Sequence, residues 1–273
     1  MGRPDPRTLE ALGLAEAPRD HPLSYPGKWP QESGLLDGNR LLPLERLVHK
    51  DRVPVIAVGS IGCPAQLRHK MAEYEVSSPI PLVKARVTGL GVGVSAHVSL
   101  RGYVSASPFQ APGIVSELFV TWLDEAQLAV VDASEGVPAR TEAYDRARLA
   151  SDDFRIELES GELLAGAYVY VNRRGVLHDG SGAPCVHPGE RPLLASLLAG
   201  PPRLRELFGD TPEELCTRAR FDRALCARGT RLFAEEGLAM PSGLEELEGL
   251  EKYVGSQQTG SPGSGASLSP PWM

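Results

Sequence analysis

Val53-Pro54-Val55-Ile56-Ala57-Val58-Gly59-Ser60-Ile61-Gly62-Cys63-Pro64-Ala65-Gln66-Leu67-Arg68-His69-Lys70-Met71 is the stretch whose reading decides how this chain folds. Val53 to Val58 is an unbroken apolar run of strand length and reads as a buried strand. Gly59 to Cys63 is a tight turn. Pro64 then stands where a first helical residue belongs, and Ala65 to Met71 follows in helical register. Gly59 and Gly62 let backbone N–H groups turn toward one point, with the positive end of a helix dipole just behind them. Such a nest holds a carboxylate, an oxyanion or a phosphate without a charged side chain. A plain strand-to-helix connection carries the same residues, so the turn alone does not decide between the two.

Working outward, Ile80 to Thr88 and Ile114 to Trp122 are strand-like, with β-branched residues and partial alternation. Asp124 with Gln127 three residues on makes a capping box for a helix through Leu128 and Val131 that stops at Gly136. Phe154 to Leu158 alternates, and a turn at Glu159-Ser160-Gly161-Glu162 leads back into Leu163 to Val171, which reads as a hairpin. After about residue 190 the pattern is helical. Thr211-Pro212-Glu213-Glu214 is a helix start, and Phe221, Leu225 and Leu232 share one face of a helix ending at Gly237. Strands come first and helices last, which gives an α+β fold rather than regular βαβ repetition.

The expected domains are a Pro-rich N-terminal arm over 1–50, a mixed domain over 51–200 and C-terminal helices over 201–240. A largely disordered tail of Gly, Ser, Pro and Gln follows over 241–273. The chain's 273 residues are 42% apolar, enough to bury a core, and carry a net charge of -7. That sign argues against nucleic acid or an anionic membrane as a partner. No apolar run approaches the roughly 20 residues that cross a bilayer, and Met1 to Pro6 leads into no apolar segment of a signal peptide. Cys63, Cys185, Cys216 and Cys226 form no CxxC pair and are too sparse for a disulfide scaffold. The expectation is a cytoplasmic protein with no metal and no cofactor.

Several signatures fail on inspection. Gly89-Leu90-Gly91-Val92-Gly93 brings its third glycine one residue too early for a dinucleotide loop, and no helix follows. Val58-Gly59-Ser60-Ile61-Gly62 resembles a nucleophile elbow with Val58 in the first glycine position. Ser60 or Cys63 as nucleophile lacks a His or Asp partner placed by any motif. His178, Cys185 and His187 have no fourth ligand at zinc spacing. His97 alternates with apolar neighbours and reads as a satisfied core or edge histidine. Arg218, Arg220, Arg223, Arg228 and Arg231 are flanked by glutamates and read as a solvated helix face.

Asp132-Ala133-Ser134-Glu135-Gly136 is different. Gly136 ends a helix, so Glu135 sits in its last turn, facing the negative end of the dipole and unpaired carbonyls that disfavour the ionised carboxyl. If it is also partly buried, the expectation is a carboxyl that holds its proton nearer neutrality, where it serves well as general acid or base.

Taken in order, these pieces resemble the γ-glutamylcyclotransferase-like superfamily, over roughly residues 52 to 200. Its strand enters a Tyr-Gly-Ser-Asn loop and a helix, matched here by Val58-Gly59-Ser60-Ile61. A Gly-Gly-Ala-Thr-like stretch corresponds to Gly102-Tyr103-Val104-Ser105-Ala106-Ser107-Pro108. Leu123 to Leu128 opens the helix that ends in Asp-x-x-Glu-Gly, here Asp132 to Gly136. Tyr144-Asp145-Arg146 matches Tyr-x-Arg, and Ala167-Tyr168-Val169-Tyr170-Val171 matches the strand ending in Tyr-Val.

The resemblance implies a mixed β-barrel flanked by helices, with the loop and the Glu meeting in one cavity. It implies cleavage of a γ-glutamyl amide by its own α-amine, giving 5-oxoproline and an amine, without a cofactor. Glu135 would be the acid–base residue, and Val58, Gly59, Ser60, Ile61, Tyr144 and Tyr170 would line the substrate site. Val58 stands where the family has Tyr and Ile61 where it has Asn, which removes a phenol and an amide and changes what the turn prefers to hold. Some members act in antibiotic assembly, and the added arm and helices suit a specialised biosynthetic role. The alternative is a non-catalytic protein that uses the same cavity for a carboxylate metabolite or a protein partner.

Overall fold

The computed structural model describes residues 5–47, 49–137, 144–151 and 153–247. The deciding stretch folds as read. Strand β3 (Val53–Ala57) runs into a 3-10 turn over Ser60–Gly62, and helix α1 (Pro64–Glu73) begins at the expected proline. Numbering the N-terminal pair first, β1 is Gly34–Asp37 and β2 is Arg40–Pro43. β3 lies inside a sheet, antiparallel to β5 (Val104–Leu123) and parallel to β9 (Gly166–Asn172), and it is apolar throughout because both its faces are buried, Ile56 in one core cluster and Val55 and Ala57 in another. A strand covered on both sides needs no polar face.

β4 (Ile80–Val98) and β5 form one long antiparallel hairpin, far longer than the two strands expected over 80–88 and 114–122. The glycines at 89, 91 and 93 do not end the strand. The Phe109 ring lies against Gly91 and Gly93, where Cβ atoms on either would meet it, and the first of two register shifts falls at Thr88/Gly89 with Gly89 at φ +93°. Here glycine marks a bulge and a close approach, not a stop.

The remaining strands are β6 (Tyr144–Ala150), β7 (Arg155–Leu158), β8 (Leu163–Leu164), β10 (Val176–Leu177) and β11 (Ala239–Met240). The central order is β11-β10-β4-β5-β3-β9-β6. The sheet is mixed, as the α+β reading requires, but it stays open among the described residues, with β6 and β11 at its ends, instead of closing as a barrel. The expected hairpin over 154–171 is split. β7 pairs with the two-residue β8, and the chain then kinks at Gly166 so that β9 pairs with β3 and β6.

Residues 5–47 are built into the fold. β1 pairs with β2 and with the start of β4, Leu9 is fully buried, and Tyr25 reaches the core. Helix α2 (Glu125–Glu135) carries the expected Asp124/Gln127 capping box and ends on Gly136 at φ +77°. Beyond residue 189 come α3 (Glu190–Ala199), α4 (Pro202–Phe208), α5 (Pro212–Phe221) and α6 (Arg223–Glu235). The helix expected to unite Phe221, Leu225 and Leu232 is two helices. Asp222 accepts from the Leu225 amide and starts α6, which leaves Phe221 87% exposed while Leu225 and Leu232 are buried. The start of the expected tail is folded instead, because Leu244 is buried in the core and the Ser242 carbonyl accepts from the Gln110 amide, and the rest lies outside the described residues from 248 onward. No described helix is long and apolar enough to cross a membrane.

Candidate active site

A cavity of about 700 Å³ opens beside the β3–α1 turn, and Val58, Gly59, Ser60, Ile61, Glu135, Tyr144 and Tyr170 all line it. The fold brings them there from three places. The turn carries the first four, the C-terminal end of α2 carries Glu135, and the neighbouring strands β6 and β9 carry the two tyrosines.

At the turn, no backbone carbonyl among the described residues accepts from the amides of Gly59, Ser60 or Ile61. The three residues are buried and line the cavity, which leaves such amides available to a ligand there. Tyr25 packs directly on this turn. Its hydroxyl accepts from the Ala106 amide at 2.8 Å, and its ring stacks on Tyr103 with centroids 4.4 Å apart. A Cβ on Gly59 would run into that hydroxyl. Gly59→Ala is therefore expected to cost about 1–3 kcal/mol, as overpacking does. Measured by urea unfolding, its loss and that of Tyr25→Phe should be less than additive, because the phenylalanine removes the clash.

Glu135 is fixed by its helix. Three residues before it, Asp132 is buried and accepts from the Tyr170 hydroxyl at 2.7 Å, with the Arg146 Nε at 3.5 Å. Arg146 is buried in turn and lies over the Tyr168 ring. Burial pushes the Asp132 carboxyl above its usual range, while Tyr170 and Arg146 hold it down. The Asp-x-x-Glu pattern thus divides its labour: the Asp ties the helix end to β6 and β9, and the Glu faces the cavity.

The Glu135 carboxylate was expected to meet only helix carbonyls, but it has a partner. The Lys70 ammonium donates to Glu135 Oε1 at 2.8 Å and to Ser134 Oγ at 2.7 Å. Lys70 is in the last turn of α1, so the pair joins the C-terminal ends of α1 and α2.

Tyr25, Tyr103, Tyr144 and Tyr170 form an aromatic wall in which burial raises every phenol above its ordinary range. They stay protonated at neutral pH and serve as neutral hydrogen-bonding groups. The Tyr144 hydroxyl is buried near Ser95, Ser105 and Asn172 without a close partner among the described residues.

His97, read as a satisfied histidine, is not satisfied. It lines the cavity with a buried Nδ1 that has no partner among the described residues. Burial, helped by the Arg174 charge, pushes its pKa down from 6.5 to about 4. A folded value below the unfolded one means that the unfolded chain binds the proton first as pH falls. The protein is then expected to be most stable above pH 6.5 and to lose up to about 3 kcal/mol between there and pH 4. Urea midpoints across that range should fall more steeply for the wild type than for His97→Gln.

Tyr25, Lys70 and His97 are the residues that sequence reasoning missed; Arg220 and Arg223 are exposed as expected, and they stand at the cavity mouth on two helices, at the α5–α6 junction. The nucleophile readings gain nothing. Cys63 is buried at the start of α1 with its thiol pushed up by burial, and no described histidine bonds Ser60. No three described His, Cys, Asp or Glu side chains cluster as a metal site.

The chain matches no protein-family model and no curated protein sequence. Solved structures that it matches include one described as a gamma-glutamyl cyclotransferase, with 16% identity and a TM-score of 0.34 over 44% of this chain and 66% of that one. An uncharacterized protein from Homo sapiens gives 17% and 0.34 over 45% and 67%. A protein from Arabidopsis thaliana solved in solution gives 15% and 0.33 over 77% and 96%. The match to the first spans less than two thirds of its length.

Proposed function

We propose that the cavity cleaves a γ-glutamyl amide, or a related small amide, by attack of the substrate's own amine. The observation that carries this reading is that Glu135 and the Gly59–Ser60 turn line the same cavity. The α-amine nitrogen bonds to the γ-carbonyl carbon, and the carbonyl electron pair moves onto oxygen, toward the turn amides. The bond from that carbon to the leaving nitrogen then breaks, giving 5-oxoproline and an amine. Two protons leave the attacking nitrogen and two arrive on the leaving one, and Glu135 carries them in turn. Because both reacting groups belong to one molecule, most of the entropic barrier is already removed. An anion nest and one proton carrier then suffice.

The Lys70–Glu135 ion pair supports a second reading, in which the cavity holds a carboxylate metabolite or a protein partner without turnover. A panel of γ-glutamyl-amines assayed for 5-oxoproline separates the two. Release from any member supports catalysis, and none across a broad panel favours the binding role. We place the protein in the cytoplasm, a compartment that suits its four unpaired cysteines.

A further inference from the structure

Lys70 is a charged group in the cavity to which the proposed chemistry assigns no task. Its side chain is 7% exposed, yet it lines the cavity. An ammonium has three N–H donors, and among the described residues Glu135 and Ser134 take two of them. The C-terminal end of α1 favours a cation at this place. The surroundings point the same way. In a chain of net charge -7, the cavity is lined by the cations Arg19, Lys70, Arg101, Arg220 and Arg223 against the anions Glu73, Glu135 and Asp222. Arg19 is already taken by a two-pronged pair with Glu73, and the other arginines are exposed at the mouth. Lys70 is thus the buried cation of the set.

We infer that Lys70 reads the ligand's carboxylate, and that with Glu135 it forms a fixed pair of charges matched to the carboxylate and ammonium of an α-amino-acid head group. The pair sets opposite charges 2.8 Å apart, a spacing like that within an amino-acid zwitterion. The α-carboxylate takes the third N–H of Lys70, and the α-ammonium lies against Glu135, the group that must receive its proton. The inference rests on the proposed reaction for the choice of ligand, but not on turnover.

Calorimetry with 5-oxoproline and its neutral analogue 5-oxoprolinamide tests it. The wild type is expected to bind the carboxylate about tenfold more tightly than the amide, the usual effect of one charged hydrogen bond. Lys70→Arg should keep that preference. Lys70→Met/Glu135→Gln, which removes both charges and leaves neither stranded, should abolish it. Glu135→Gln alone should bind 5-oxoproline more tightly than the wild type, since a neutral amide competes for the ammonium, and repels the ligand's carboxylate, less than Glu135 does. Equal binding of the two compounds by the wild type, no binding of either, or an unchanged preference in the double variant overturns the inference. A preference that follows Lys70 in a protein releasing no 5-oxoproline sinks the catalytic reading and leaves this one standing. Turnover with a preference indifferent to Lys70 does the reverse.

Discussion

Glu135→Gln is expected to lower the rate of 5-oxoproline release by about a thousandfold, within the range that a lost proton carrier costs. The amide keeps the shape of the side chain and can still bond Lys70 and the ligand, so binding survives while proton transfer does not. The residual rate comes from holding the amine against the carbonyl, which the substitution does not touch. The loss should therefore fall on kcat, with KM little changed or lower. Initial rates on the best γ-glutamyl-amine measure it. Turnover within tenfold of the wild type would remove Glu135 from the mechanism.

The largest effect on stability should come from Asp132→Ala, at about 3–5 kcal/mol, the cost of breaking a buried pair from one side. Arg146 and the Tyr170 hydroxyl would both lose the carboxylate that they share, and each is buried on the paired strands β6 and β9. Asp132→Asn keeps an acceptor for Tyr170 and should cost less. The same change frees the last turn of α2, so activity should fall further than the unfolded fraction explains. Urea unfolding and activity measured on the folded fraction distinguish the two effects. A loss under 1 kcal/mol for Asp132→Ala would show that the helix end is held by something else.

What the sequence made legible was local. The β3–α1 turn and the start and stop of α2 are written in contiguous residues, an apolar run and a proline in one case, a capping box and a terminal glycine in the other. Those two features place the nest and Glu135, and the motif order placed them in one site. What stayed hidden depends on contacts between distant segments. The glycines of β4 look like a break until Phe109, sixteen or more residues on, is seen lying over them. Asp222 looks like one more polar position in a helix until its side chain caps the Leu225 amide. Tyr25 sits in a Pro-rich arm with no periodic signal and still reaches Gly59 and Ala106.

Lys70 was within reach of sequence reasoning. It lies in the last turn of the helix that the turn opens, as Glu135 lies in the last turn of α2. Two helices ending in opposite charges are a candidate pair, but only tertiary packing says that the ends meet. The pairing also revises the electrostatics expected for Glu135, from a carboxyl facing carbonyls alone to one held beside a buried ammonium.

The claim on which the account depends is that the turn amides and Glu135 address a single ligand. A crystal structure of the wild type soaked with 5-oxoproline tests it most directly. The account predicts the lactam ring between Gly59–Ser60 and Glu135, its ring carbonyl oxygen toward the amides and its ring nitrogen within hydrogen-bond reach of the carboxylate. A lactam bound elsewhere on the protein, or in the cavity but out of reach of either group, would contradict it.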